Sequence, residues 1–243
     1  MLGLLIADVV ALLALAVYYS RYRPASTKQI TDNVYVMSCA FLNFFAIKTA
    51  KGVILFDAGM EPRTTKYCLA RIGVAPAEVT HVFLTHTDFD HAGGLTLFPH
   101  SKVYISKPEE QMINGETARR FFVHNKRLSN YSTLEDGETV DIDGVSIKTY
   151  VVPGHTPGTT AYLIDKRFLV SGDLLRVSVK GRITPFFWFI NINHKQNIAS
   201  IKKILPVIKN AEYLLTGHTG VVKDTKSLIF PTSPPQTPGS SHQ

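Results

Sequence analysis

From Thr85 to Gly94 the chain reads Thr-His-Thr-Asp-Phe-Asp-His-Ala-Gly-Gly, directly after the strand-like run His81-Val82-Phe83-Leu84. Two imidazoles, His86 and His91, and two carboxylates, Asp88 and Asp90, therefore share six residues. Side chains of a strand alternate between faces and cannot converge on one point, whereas a loop at a strand's end can. Imidazole nitrogen and carboxylate oxygen both suit divalent metals, so the chemistry this stretch implies is metal ligation. A solvated polar loop with chance histidines is the competing explanation, and three distant residues count against it. His155, Asp173 and His218 each stand just past a predicted strand, in glycine-containing turns that let backbone approach closely.

The elements that must position these residues follow from pattern. Asn33–Met37 and Phe41–Thr49 read as strands, and Ala50-Lys51-Gly52 turns into a third, Gly52–Phe56, which ends at Asp57. A helix is expected over Arg63–Gly73, and Val79–Leu84 is the strand that delivers the first loop. Lys102–Ile105 reads as extended and Glu109–Ile113 as helical, while Gly115–Leu134 is polar, poorly periodic and expected to be a surface insertion. Val140–Val152 has the form of a hairpin around Asp143-Gly144 and ends at Pro153-Gly154-His155. Thr160–Ile164 and Phe168–Ser171 lead to Gly172-Asp173, followed by an apolar loop, Ile183–Ile190. A helix capped by Asn193 is expected over His194–Leu205, and a last strand, Glu212–Leu215, runs into Thr216-Gly217-His218. Strands before helices in both halves imply a two-sheet core with helices outside.

Length and composition bound the rest. With 243 residues and 45% hydrophobic content, the chain is globular and fits one full-sized domain. The expected division is an apolar segment over 1–23, a linker over 24–29, the main domain over 30–225 and a disordered tail over 226–243. The net charge is +7, but the basic residues are scattered, with no block interleaved with aromatics, so nucleic acid is not an expected partner. The positive excess fits anionic substrates, lipid head groups or plain solvated surface. Cys39 and Cys68 have no metal-like spacing and are expected to be two buried thiols, which favours a reducing compartment.

Leu2–Tyr19 is apolar except for Asp8, and eighteen residues at ~1.5 Å rise reach about 27 Å, enough for a thin bilayer core. No basic residue precedes the run, and Tyr18, Tyr19, Tyr22, Arg21 and Arg23 form an interfacial belt behind it. The expectation is a transmembrane helix that holds the domain in the cytoplasm. A cleaved signal peptide, which would leave the domain secreted or periplasmic, and a buried helix stay open.

In order and type, these site residues resemble the metallo-β-lactamase fold superfamily, and the match covers about Asn33 to Thr219. The resemblance implies an α/β fold, the αβ/βα four-layer sandwich, with a metal site along one edge. It implies that His86, Asp88 and His155 hold one metal, that Asp90, His91 and His218 hold a second, and that Asp173 bridges them. Asp57 matches the carboxylate behind the ligands that orients their loop. Two divalent ions sharing a hydroxide would hydrolyse an ester, thioester, lactone or amide carbonyl, with Asp90 and Asp173 serving the reaction; a phosphodiester stays open.

One position departs from the family's pattern: where a His is usual, the loop carries Asp88. Zinc remains the expected metal, and a carboxylate there also suits iron or manganese. It lowers the formal charge of two divalent ions, three aspartates and one hydroxide to about zero, against plus one with His. The departure resembles the flavodiiron branch, so a diiron redox protein is an alternative, as is a non-catalytic metal-binding, membrane-associated protein. The candidate substrate walls are the basic insertion Arg119–Arg127, with His124, and the aromatic loop, with Phe187 and Trp188; His194 is a further candidate contact. An apolar rim of this kind suits a small acyl-bearing substrate or a membrane surface.

Overall fold

The computed structural model describes residues 25–39, 41–119 and 123–231. In the first half the chain forms β1 (Lys28–Gln29), β2 (Val34–Cys39), β3 (Leu42–Lys48), β4 (Val53–Phe56), α1 (Pro62–Arg71), β5 (Val79–Phe83), α2 (Phe89–Ala92), β6 (Lys102–Ser106), α3 (Glu110–Ile113) and β7 (Ser132–Leu134). The second half forms β8 (Thr139–Ile142), β9 (Val145–Val151), β10 (Thr160–Ile164), β11 (Phe168–Gly172), β12 (Leu175–Val177), β13 (Ile183–Pro185), α4 (His194–Asn210), β14 (Tyr213–Thr216) and β15 (Gly220–Val222). β1 to β7 lie in chain order in one sheet, antiparallel through β4 and parallel from β4 to β7. The second sheet has the order β15-β14-β11-β10-β9-β8, and β12 pairs separately with β13.

Period-two alternation decides what each face meets. All four residues of β4 are buried. Ile54 and Phe56 join Val36, Phe45 and Phe83 in a cluster with Ile147, Tyr162, Val170 and Leu215 of the second sheet, so the two sheets face each other. Val53 and Leu55 point the other way, into a cluster with Cys68 and Leu69 of α1. Ala161, Leu169 and Leu214 likewise meet Ile201, Ile204 and Ile208 of α4. Burial on both faces is why these strands read as continuous apolar runs.

The structure moves several expected boundaries. α1 starts at Pro62, because the Glu61 side chain accepts the Thr64 N–H at 2.9 Å and caps the helix there. α4 does not stop at Leu205: it continues through Pro206 to Asn210, held down by buried Ile204 and Ile208 on either side of the proline. The segment 115–134 is not wholly a surface insertion, since Ser132–Leu134 adds β7 to the edge of β6. Residues 226–231 stay on the body: Leu228 is buried and the Ile229 carbonyl accepts the Ile183 N–H at 2.8 Å. Cys39 and Cys68 are both buried as expected, and their sulfurs are 2.6 Å apart. Among the described residues, no helix is long and apolar enough to cross a membrane; the expected membrane segment, 1–23, lies outside them.

Candidate metal centre

Topology brings the chemistry to one edge. β4 and β5 are parallel, so Asp57 and the loop that follows β5 leave the first sheet on the same side. In the second sheet β9 and β11 are both antiparallel to β10, and β14 is parallel to β11. The loops after β9, β11 and β14, which carry His155, Asp173 and His218, therefore also share one edge. Hydrogen bonds join the two edges: Thr160 N donates to Thr85 O at 2.8 Å, Tyr162 Oη to Leu84 O at 2.8 Å and Asn43 N to Gly217 O at 2.6 Å. At the end of β11 the register with β14 shifts between Val170 and Gly172. Gly172 takes φ +48°, and a Cβ there would press on the Thr85 side chain, so the turn that presents Asp173 requires glycine.

The structure brings His86, Asp88, Asp90, His91, His155, Asp173 and His218 together. The distances match those between ligands of one ion. His86 Nε2 and His155 Nε2 lie 3.5 and 3.2 Å from Asp88 Oδ2, and His155 Nε2 is 3.6 Å from Asp173 Oδ2. Asp173 Oδ1 faces the other way, 3.3 Å from His91 Nε2 and 3.2 Å from His218 Nε2. Asp90 Oδ2 completes this second group, 3.6 Å from His218 Nε2 and 3.8 Å from His91 Nε2. Ligands ~2.0–2.1 Å from a tetrahedral metal are about 3.4 Å from one another. His86 Nε2, His91 Nε2 and Asp173 Oδ1 are buried and form no hydrogen bond among the described residues, an arrangement that is costly unless a cation satisfies the lone pairs. The donor set fits metal ions.

What lies behind each ring fixes which nitrogen faces inward. His91 Nδ1 donates to Asp57 Oδ2 at 2.8 Å, and His86 Nδ1 lies 3.0 Å from Thr85 Oγ1, whose hydroxyl donates to the same Asp57 carboxylate. His155 Nδ1 donates to Asn191 Oδ1 at 3.1 Å and His218 Nδ1 to the Phe41 carbonyl at 2.8 Å. With every Nδ1 engaged, each Nε2 presents its lone pair to the centre. Asp57, fully buried, also accepts the Thr85 N–H at 2.8 Å, and it does so from φ +65°. A non-glycine residue in that region marks strain held by its surroundings.

Charge at the centre is strongly coupled. Burial pushes the Asp88 carboxyl up, but His155 and His86 pull it further, to well below the usual range. Burial is likewise outweighed at Asp173, which His218 and His91 hold well down. For His91, burial acts downward and loses to Asp57, Asp173 and Asp90, which raise it well above the ordinary value. His155 goes the other way, lowered chiefly by burial.

Several contacts that hold the ligand loops carry no signal in the sequence, although the insertion Arg119–Arg127 is expected to form a substrate wall. Glu109, fully buried, takes the Thr87 N–H and hydroxyl at 2.8 Å on Oε1, and the Thr156 hydroxyl (2.6 Å) and Gly158 N–H (3.1 Å) on Oε2. It ties the first ligand loop to the loop of His155. Arg119 and Asn125 reach in from the insertion and bond the two Asp88 oxygens. None of these stands at a metal-like spacing.

A cavity of about 1310 Å³ opens over the centre. Its apolar wall includes Phe41, Phe89, Phe186, Phe187, Phe189 and Ile192. Of the candidate substrate contacts, His124, exposed, and Phe187 line it. Trp188 and His194 do not. Trp188 is 71% exposed and packs edge-on against Phe189, while His194 accepts from the Asn191 amide at 3.0 Å and so stands behind His155. Aromatic residue 186, not 188, approaches the ligands: Phe186 packs 5.1 Å from the His155 ring and 5.3 Å from that of His218.

Comparison with known proteins agrees with this geometry. Hydroxyacylglutathione hydrolase from Synechococcus sp. (strain JA-2-3B'a(2-13)) is 35% identical over 130 residues, 52% of this chain and 42% of that relative, so the chain spans less than half its length. N-acyl homoserine lactonase from Bacillus cereus is 26% identical over 194 residues, 78% of this chain and 74% of the lactonase. Among solved structures, a metallo-beta-lactamase family protein from Thermus thermophilus superposes with a TM-score of 0.64 at 21% identity, covering 82% of this chain and 77% of that one. The model of the metallo-beta-lactamase superfamily matches residues 39–241, a span that takes in all seven converging side chains, and this protein belongs to that superfamily.

Proposed function

We propose that this chain hydrolyses the carbonyl of an ester, thioester or lactone through a pair of divalent ions, one held by His86, Asp88 and His155, the other by Asp90, His91 and His218, with Asp173 contributing one oxygen to each. The observation that carries the reading is the convergence of four Nε2 atoms whose Nδ1 partners are all engaged from behind. Such ions, when bound, polarise a carbonyl oxygen and bring the pKa of water toward neutrality. The chain's own residues do the rest. Asp57 and Thr85 hold the rings of His86 and His91 in place. Asp90, a partly exposed ligand that borders the cavity, is placed to hold a proton from attacking water. The aromatic wall excludes bulk water and suits an acyl chain. The relatives named for hydroxyacylglutathione hydrolysis and lactone hydrolysis support this carbonyl class.

Zinc is the proposed metal; the oxygen donor Asp88 also suits iron or manganese. The test is to strip the protein with chelator, reload it with each metal separately, and assay lactones, thioesters, β-lactams and phosphodiesters. Hydrolysis of a carbonyl substrate that disappears with chelator is expected. Turnover of phosphodiesters alone, or activity indifferent to chelator, overturns the reading. We further infer that residues 1–23 attach the domain to a membrane, on the apolar sequence alone; recovery in the soluble fraction without detergent refutes this.

A further inference from the structure

The guanidinium of Arg119 lies among the ligands of one half of the centre. Its Nε donates to Asp88 Oδ2 at 2.6 Å, its Nη1 to the Ile190 carbonyl at 2.7 Å, and its Nη2 stands 3.2 Å from His155 Nε2. Its side chain is 14% exposed. Asp88 Oδ2 is the oxygen that also faces His86 Nε2 and His155 Nε2, whereas Oδ1 is occupied by the Asn125 amide at 3.1 Å. Arginine keeps its proton at every ordinary pH, so this is a fixed positive charge. His155 Nδ1 is held by Asn191, which leaves Nε2 as the acceptor that Nη2 addresses.

We propose that Arg119 is the built-in counter-cation of Asp88 and makes the two halves of the centre unequal, so that the Asp90–His91–His218 half fills first and the His86–Asp88–His155 half fills weakly. The inference rests on the two-ion reading above. An ion in the first half must share Asp88 Oδ2 with Nε and take His155 Nε2 from Nη2, against the repulsion of a full charge in contact with both ligands. In the other half the neighbours of the imidazoles are carboxylates: Asp57 in contact with His91 from behind and Asp90 in front, while Asp173 is shared by both halves. Those add attraction. The same pairing accounts for an aspartate at position 88. Asp88 and Arg119 together carry zero net charge, as a neutral imidazole does, so the guanidinium returns the positive charge that the carboxylate removes.

The experiment is a zinc titration of the chelator-stripped full-length protein in competition with a chromophoric chelator, with thermal melting run on each variant to verify folding. In the wild type the second zinc equivalent is expected to bind at least about tenfold more weakly than the first. Arg119→Ala, with Arg119→Gln as the milder substitute if alanine does not fold, is expected to tighten the second equivalent at least about tenfold and leave the first unchanged. Arg119→Lys keeps the charge and is expected to keep the gap. Two equally tight equivalents in the wild type overturn this inference and leave the hydrolase reading standing. So does a second equivalent that Arg119→Ala leaves unchanged or weakens, and so does an Arg119→Lys variant that behaves like Arg119→Ala. Failure of the wild type to bind zinc, iron or manganese overturns both readings together.

Discussion

Glu109→Gln is the sharpest probe of how the ligand loops are held. The carboxylate accepts four hydrogen bonds, two from Thr87 and one each from Thr156 and Gly158. Glutamine keeps the two on Oε1. Its new amide faces the Thr156 hydroxyl, which can turn and donate to Thr159 Oγ1 at 2.9 Å, and the Gly158 N–H, which has no lone pair to offer. One buried N–H is stranded against a donor, at about 1–3 kcal/mol, and the two bonds that remain lose the strength that a charged acceptor lends them. Removing a buried charge returns part of this, so a net loss of about 2–3 kcal/mol is expected, or roughly 4–12 °C in Tm for a domain this size. Thr87 adjoins Asp88 and Thr156 adjoins His155, so zinc affinity should also fall. The pH dependence has a definite sign. Burial raises the Glu109 carboxyl above its ordinary 4.5, outweighing its hydrogen bonds. Its stabilising contribution is then complete below the unfolded value and is lost as pH rises through the raised folded value. The stability gap between wild type and Glu109→Gln should therefore narrow as the pH climbs, in urea titrations at several pH values. A variant as stable as wild type, or a gap that widens with pH, refutes the argument.

Two further outcomes follow from the packing. Phe187→Ala opens the cavity wall and should slow long-chain acyl esters more than short ones, while Trp188→Ala, at a side chain turned to solvent, should change neither; equal loss on both chain lengths by Phe187→Ala removes the acyl-wall argument. Exposure of the native protein to oxidised glutathione should close Cys39 and Cys68 into a disulfide with release of two reduced glutathiones, since their sulfurs are 2.6 Å apart. The cross-link should raise stability by roughly 3–4 kcal/mol for its loop of about 30 residues, and thiols that both still react with maleimide in denaturant afterwards refute it.

How much of this could be read in the chain depends on the range of the signal. β4 and β11 announce themselves because burial on both faces favours a nearly unbroken apolar run. The ligands announce themselves because each sits just beyond a strand, where side chains can converge. Asp143 and Gly144, at φ +51° and +82°, adopt the left-handed turn that a two-residue hairpin requires, and the dipeptide says so. Glu109 says nothing of the kind. Its role exists only because β6 delivers it beneath two loops that are distant in sequence from each other. Arg119 and Asn125 lie in the basic insertion that reads as a substrate wall, but nothing in its residue types or spacing says that they bond Asp88. Pro206 misleads for the opposite reason, since a helix packed along one face by Ile201, Ile204 and Ile208 tolerates a missing donor that would end an isolated helix.

The anchors behind the imidazoles divide the centre in a way that the ligands alone do not. Asp57 bonds His91 directly and reaches His86 through the Thr85 hydroxyl, so one strained carboxylate orients a ring in each half. His155 depends on Asn191, itself steadied by His194, and His218 on a backbone carbonyl that no side-chain substitution removes. Substitution of Asp57 should then weaken both zinc equivalents, whereas Asn191→Ala should weaken one. Asp57→Asn is the informative variant, because asparagine tolerates the left-handed backbone and nearly matches the side chain in shape. Its amide nevertheless sets a donor against the Thr85 N–H or the His91 Nδ1–H, and a ring that shifts its proton to Nε2 can no longer ligate. A loss of about 10–100-fold at each equivalent is expected, with Tm of the metal-free protein changing far less. A loss confined to one equivalent would separate Asp57 from His86 and break the relay through Thr85.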